Sequence, residues 1–423
     1  MEPATYVHIE LDGVVRPVGR LWTSFARGTE RAAFDFDDEW LADPVHFALG
    51  PALPPTRGPF HSAEGRAMFG ALGDSAPDRW GRRLIARNEA RRAREAGQAP
   101  RVPREIDYLL GVTDLVRQGA LRFTLSPDGP YVAELRAHNV PPLVNLGALL
   151  AAARAIDDDR DSAESDEAVL LLLAPGSSLG GVRPKASIHD RDGTLAIAKF
   201  PQRNDEVDVV RWESVMMSLA ARAGIPVPTA RVELIGEDAV LLSRRFDRVG
   251  DARVPFLSAM SLLDAKDGEL RSYVEIADAL RRIASEASTD LPQLWRRLAF
   301  NVLASNLDDH LRNHAVVYDG NGWRLSPAYD LNPVPRHVKA RHLSTAIHID
   351  EDPTASIDLA IDAAEEFRLT RERAASIVGE VAAVLSSWRR EATRAGIGTE
   401  EIDRMATAFE HPDAIQARRW IER

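Results

Sequence analysis

Not one of the 423 residues is a cysteine, so the fold must be held together by burial rather than by disulfides or thiolate-bound metal. The same absence removes thiolate nucleophiles and sulfur-ligated zinc or iron–sulfur centres, and it suits a reducing cytosol. With 45% hydrophobic residues the chain can bury a large core, and its length suggests two or three units. The start, Met1-Glu2-Pro3-Ala4-Thr5, is neither basic nor followed by an apolar signal core. No apolar run approaches the ~18 residues of a membrane span, so a soluble, cytoplasmic protein with no membrane partner is expected. A net charge of −11 should push the isolated chain away from nucleic acid, leaving DNA contact to a basic partner or a local patch.

The alternation in Tyr6-Val7-His8-Ile9-Glu10-Leu11, followed by Asp12-Gly13, is a strand-and-turn signature, and Pro and Gly punctuate the region up to Pro59. From Asp78 to Arg104 the chain carries nine arginines and no lysine, which reads either as a solvated helix face or as a basic surface for a partner. The run from Asp157 to Glu167 reverses the sign and reads as an exposed acidic linker. Beyond it come an apolar helix (Ala168 to Ala174), a glycine-rich turn, a hairpin tipped by Asp192-Gly193, and a periodic helix from about Asp205 to Ala223. After Arg271 the pattern is mainly helical, apart from one hairpin around Asp319-Gly320-Asn321-Gly322. These features divide the chain into a β-rich subdomain (1–125), a helix with the acidic linker (126–167), a part holding the glycine-rich turn, hairpin and periodic helix (168–250) and a helical C-terminal part (251–423).

Three segments carry chemistry. In Gly176-Ser177-Ser178-Leu179-Gly180-Gly181-Val182-Arg183-Pro184-Lys185, paired glycines let backbone amides turn toward phosphate oxygens. Val182 stands where a Walker A loop needs lysine, so the match to that motif fails. Lys199 ends the apolar strand Ala196-Ile197-Ala198, as a lysine gripping nucleotide phosphates would, and Glu213 on the next helix is a natural partner to orient it. Asp308 and Asn313 share an Asp-x-x-x-x-Asn spacing, followed by a hairpin and then Tyr329-Asp330-Leu331-Asn332. Transfer of a γ-phosphoryl group needs a carboxylate to accept the proton of the attacking hydroxyl and oxygen ligands for magnesium. Asp308 suits the first task; Asn313 and Asp330 suit the second. Asp309 lacks the offset to Asn313 and reads as structural, and His310 reads as a hydrogen-bonded brace because magnesium prefers oxygen.

These residues, in this order, resemble those of the HipA kinases over most of the chain. Ser177 to Lys185 is similar to the family's phosphate loop, and Ala198-Lys199-Phe200-Pro201 to its nucleotide-lysine strand. Ser243-Arg244-Arg245-Phe246-Asp247-Arg248 looks like its hinge, Asp308 to Asn313 with Ala328-Tyr329-Asp330 like its catalytic and metal motifs, and Asp74 to Arg82 like its N-terminal signature. The resemblance implies an α+β, two-lobed kinase-like fold, with a β-rich N-terminal portion and an all-α C-terminal lobe. It implies a serine/threonine protein kinase toxin using ATP and Mg2+, with Asp308 as base and Asn313 and Asp330 on metal. Ser178, Leu179, Gly180, Gly181, Val182, Lys185, Lys199 and Glu213 would serve the phosphates. Arg244 and Phe246 would lie near adenine and Asp247 near ribose; Arg244 stands where the family commonly has an acidic residue. It further implies regulation by phosphorylation of Ser178, with Ser177 adjacent, and a separate HipB-like helix-turn-helix antitoxin carrying most of any contact with operator DNA. The substrate would be a protein such as an aminoacyl-tRNA synthetase. A small-molecule phosphotransferase and an inactive antitoxin-binding scaffold are the alternatives.

Overall fold

Val7, Ile9 and Leu11 alternate with half-exposed neighbours along β1 (Thr5–Leu11), so one face of the strand is buried. Asp12 and Gly13, both at positive φ (51° and 75°), turn the chain into β2 (Val14–Ala26), and Arg27-Gly28 do the same before β3 (Thr29–Phe36). With β4 (Phe60–His61) and β5 (Leu121–Thr124) these form an antiparallel sheet of order β4-β3-β2-β1-β5. The computed structural model describes residues 4–132, 140–157, 163–173, 181–349 and 352–421.

A second sheet carries the lysines. The strands β6 (Lys185–His189) and β7 (Leu195–Lys199) are joined through Asp192-Gly193, and β8 (Ala230–Ile235) and β9 (Asp238–Arg244) complete the order β6-β7-β9-β8. Apolar side chains of β6, β7 and β9 (Ile188, Ala198, Val240) share a core with Trp80 and Leu84 of the helix Arg79–Glu95, Leu149 of Leu146–Asp157, and Leu172 of Ala163–Leu173.

Two compact units emerge, Met1–Asn204 with Glu233–Leu257, and Asp205–Val232 with Ser258–Arg423. The divisions expected at 125, 167 and 250 follow changes of pattern along the sequence, whereas these units follow contacts across it. The helix Val209–Arg222, for one, belongs with the C-terminal helices. Its Trp212 donates Nε1–H to Glu401 Oε1 at 2.8 Å, and near it Trp388 and Phe409 stack at 4.5 Å. Of the acidic run, Asp157 and Asp166 accept from Arg83 and Arg94, and Ala163–Leu173 is helical. Burial of Val169 and Leu172 on the following turns holds that stretch against the sheet.

The second unit is helical, as a polar-capped amphipathic sequence dictates. Ser272 and Glu275 form a capping box at the start of Tyr273–Ile283, and Ala287–Leu303 runs through the core with Leu291, Leu294, Trp295 and Leu298 fully buried. The hairpin of Ala315–Tyr318 and Trp323–Leu325 turns at Asp319–Gly322, where the sequence places it. The fold is α+β, with a β-rich N-terminal portion and a helical C-terminal region.

Candidate active site

In the second unit the helix Ala287–Leu303 ends just before Ser305, which takes a left-handed φ of 48° and swings the chain into the loop of Asp308. Asp308 is exposed, while its neighbour Asp309 is sealed away. Asn313 closes the loop: its backbone N–H donates to His310 O at 2.7 Å and its side-chain Nδ2 donates to Asp308 O at 2.9 Å. Asn313 is 7% exposed, and its Oδ1 is buried with no hydrogen-bond partner among the described residues. A buried acceptor left in that state costs free energy unless something completes it.

Asp309 takes the structural part. It accepts from Tyr273 O–H at 2.7 Å and from the Ser344 amide at 2.8 Å, and burial pushes its carboxyl up to about 6 against those hydrogen bonds. His310 differs from its expected role. Its backbone carbonyl braces the loop, but its ring Nδ1 is buried without a hydrogen-bond partner among the described residues.

Asp330 has a left-handed φ of 57°, uncommon for a non-glycine residue though Asp adopts it more readily than most. Tyr329 donates its O–H to Arg312 O at 2.7 Å, and the Asn332 amide donates to Asn306 Oδ1 at 3.0 Å. Among the described residues no group of three or more His, Cys, Asp or Glu could hold a metal alone. Magnesium does not require one: it is commonly held by one or two protein oxygens, waters and phosphate oxygens. The orphaned Asn313 Oδ1 is a ligand atom of the right chemistry for it. Asn306, Asn301 and Tyr273 went unnoticed in the sequence, since no spacing rule marks them.

In the first unit Lys185 and Lys199 stand directly opposite each other on β6 and β7, and so share a sheet face. Lys185 is only 2% exposed, and its Nζ donates to Asp78 Oδ2 at 2.7 Å. Asp78 also accepts the Gly81 amide as N-cap of Arg79–Glu95, and Trp80 Nε1–H donates to Lys185 O at 3.1 Å. Lys185, expected to serve nucleotide, therefore has its ammonium on Asp78 inside the core. Lys199 is half-buried at the end of β7, and Glu213 lies buried in the second unit on Val209–Arg222. Gly181, at φ 109°, takes a conformation closed to most side chains, and Val182 is exposed; Ser178, Leu179 and Gly180 lie outside the described residues.

The hinge-like segment divides its labour. Arg244 is exposed and Phe246 packs its ring against Phe256 at 6.2 Å. Asp247, expected near ribose, is 1% exposed and fully engaged: it accepts from Arg245 at 2.6 and 2.8 Å, from Arg248 at 2.9 Å and from the Gly119 amide at 2.8 Å. Despite burial, those two guanidinium groups hold its carboxyl well below the usual carboxylate range. It anchors both guanidinium groups and the Gly119 amide.

The arginine run is largely neutralised in place. Arg82 grips Glu105 at 2.6 and 2.7 Å, Arg91 meets Glu95 at 2.5 Å, Arg94 meets Asp166 at 2.8 Å, and Arg101 reaches Asp107 at 2.6 Å and Glu89 at 3.1 Å. The solvated, internally paired helix face accounts for it.

Comparison with known proteins gives the family. The pattern of the HipA-like C-terminal domain matches residues 177–388, half of the chain, and that of the HipA N-terminal domain matches residues 10–98. The candidate kinase Y4mE of Sinorhizobium fredii is 26% identical over 328 residues, covering 70% of this chain and 71% of its own. A second from the same organism, Y4dM, is 28% identical over 235 residues, covering 47% and 53%. Among solved structures, a chain of the Shewanella oneidensis MR-1 complex of HipA, HipB and operator DNA shares the fold, with a TM-score of 0.62 at 15% identity, covering 98% of this chain and 96% of that one. Two domain patterns in succession, the larger spanning half of the sequence and enclosing Lys199, Asp308, Asn313 and Asp330, place this chain in the HipA family.

Proposed function

We propose that this chain is an ATP- and magnesium-dependent serine/threonine protein kinase, the cytoplasmic toxin of a toxin–antitoxin pair. The observation that carries the reading is the loop of Asp308: an exposed carboxylate on a backbone held by Asn313, whose own Oδ1 is buried and unsatisfied among the described residues. Asp308 accepts the proton of the acceptor hydroxyl as its oxygen bonds to the γ-phosphorus and the bond to the bridging oxygen breaks, releasing ADP. Asn313 and Asp330 would hold magnesium, which neutralises charge on the phosphate oxygens when bound. Lys199 would grip the phosphates. Gly181 and Val182, with Ser178, Leu179 and Gly180, form the phosphate loop, while Arg244 and Phe246 flank the adenine.

Phosphorylation of Ser178 would place about two negative charges where ATP phosphates bind, and so repel nucleotide. Membership of the HipA family supports a HipB-like antitoxin as partner, with operator DNA bound mainly through it; the paired arginines of Arg79–Glu95 are in keeping with that division. Among the described residues no helix is long and apolar enough to cross a membrane. The test offers γ-labelled ATP to the chain with cell lysate and, separately, with small alcohols. Label in proteins supports the reading; label only in small molecules would make it a small-molecule phosphotransferase.

A further inference from the structure

The loop of Asp308 and the segment of Asp330 are fastened to each other at two points, one at each end of the loop. At the near end Asn306, 2% exposed, accepts the Asn332 amide on Oδ1 at 3.0 Å and donates Nδ2–H to Asn301 Oδ1 at 3.0 Å. Asn301 in turn donates to Tyr273 O–H at 2.8 Å, whose proton goes to Asp309. The Val334 amide adds a bond to Ser305 O at 2.9 Å. At the far end Tyr329 O–H donates to Arg312 O at 2.7 Å. Asp330 sits between the two attachments, Tyr329 just before it and Asn332 two residues after it. Its left-handed φ of 57° lies between two held flanks.

We infer that Asn306 and Tyr329 are positioning residues that set where the Asp330 carboxylate stands relative to Asn313 Oδ1. The geometry of both struts is matched to that task. Asn306 has its acceptor and its donor engaged on opposite sides, so its amide cannot rotate without breaking two bonds. It also ties the segment to Asn301, which belongs to the rigid helix Ala287–Leu303. Tyr329 ends on the carbonyl of the residue next to Asn313, so any drift of Asp330 away from Asn313 stretches that bond. Groups that orient metal-binding side chains typically change metal affinity on the order of 10- to 100-fold when lost.

This inference rests on the kinase reading, in which Asn313 and Asp330 hold magnesium beside the nucleotide phosphates. The test is a magnesium titration of a fluorescent ATP analogue bound to the full chain, comparing wild type with Asn306→Ala and Tyr329→Phe. The magnesium concentration for half-saturation should rise on the order of tenfold in Asn306→Ala and severalfold in Tyr329→Phe. Binding of the analogue without metal should stay within about twofold of wild type in both, since the struts act through the Asp330 segment that would hold the metal. A purely structural role would weaken binding with and without metal alike, and that result overturns the inference. If Asn306→Ala fails to fold, Tyr329→Phe decides, because it removes the hydroxyl that donates to Arg312 O and leaves the ring in place. Variants whose magnesium dependence equals that of wild type overturn the inference alone. A wild-type chain that takes up no nucleotide with magnesium overturns the kinase reading as well.

Discussion

Asn313 donates its side-chain N–H to the backbone carbonyl of Asp308 at 2.9 Å, and that one bond decides where its oxygen faces. With Nδ2 committed, Oδ1 is left buried and unsatisfied among the described residues. An asparagine used only to close a turn would have no need to bury a second, idle acceptor. The same loop separates its two aspartates by burial: Asp308 meets solvent, and Asp309 is folded into hydrogen bonds from Tyr273 and Ser344.

The buried pair of Lys185 and Asp78 makes stability, rather than nucleotide binding, the first casualty of its loss. Lys185→Met removes the ammonium that pairs with the buried Asp78 carboxylate and should cost about 3 kcal/mol in urea denaturation. Adding Asp78→Asn, which still caps the Gly81 amide, should restore most of that loss. Unchanged stability with weakened nucleotide binding would instead return Lys185 to the phosphates.

Asp247 should behave in the same manner. Asp247→Asn strips two buried guanidinium groups of their carboxylate and is expected to cost about 3 kcal/mol or more, seen as a lowered melting temperature. A variant that melts like wild type but shows a raised KM for ATP would mean that the carboxylate contacts ribose after all.

A pH dependence follows from His411. Burial first, and the charge of Arg341 second, lower its pKa to about 4, while unfolded histidine titrates near 6.5. Its neutral form fits the surroundings, Nε2–H donating to Leu303 O and Nδ1 accepting the Ala414 amide. The unfolded chain therefore binds the proton first, so this contribution is complete above about pH 6.5 and is lost as pH falls toward 4. At pH 5.5 the loss is about 1.4 kcal/mol. His411→Asn, which can still cap the helix, should flatten the fall in stability between pH 7.5 and 5.5 by that amount; identical slopes would contradict it.

Local pattern carried much of this fold in the sequence. The alternation of β1, the turns at Asp12-Gly13, Asp192-Gly193 and Asp319–Gly322, and the helix after Lys199 all depend on residues close together in the chain. The loop offset of Asp308 and Asn313 is likewise local. What stayed hidden is contact across distance. Lys185 and Asp78 are 107 positions apart, and Asp247 and Gly119 are 128 apart, so nothing near either lysine or aspartate announces its partner. Arg94 and Asp166 lie 72 apart, and nothing near either residue in the chain announces that they pair. Asn306 escaped notice because an asparagine before a loop is commonplace; only the return of Asn332 to its side chain distinguishes it.

The central claim is that Asp308 takes a proton during phosphoryl transfer, and Asp308→Asn tests it most directly. The exchange is near-isosteric at an exposed position, so the melting temperature should stay within about 2 °C of wild type. Transfer of label from γ-labelled ATP to protein should fall at least about 100-fold, with nucleotide binding retained. Transfer near the wild-type rate by this variant would contradict the account.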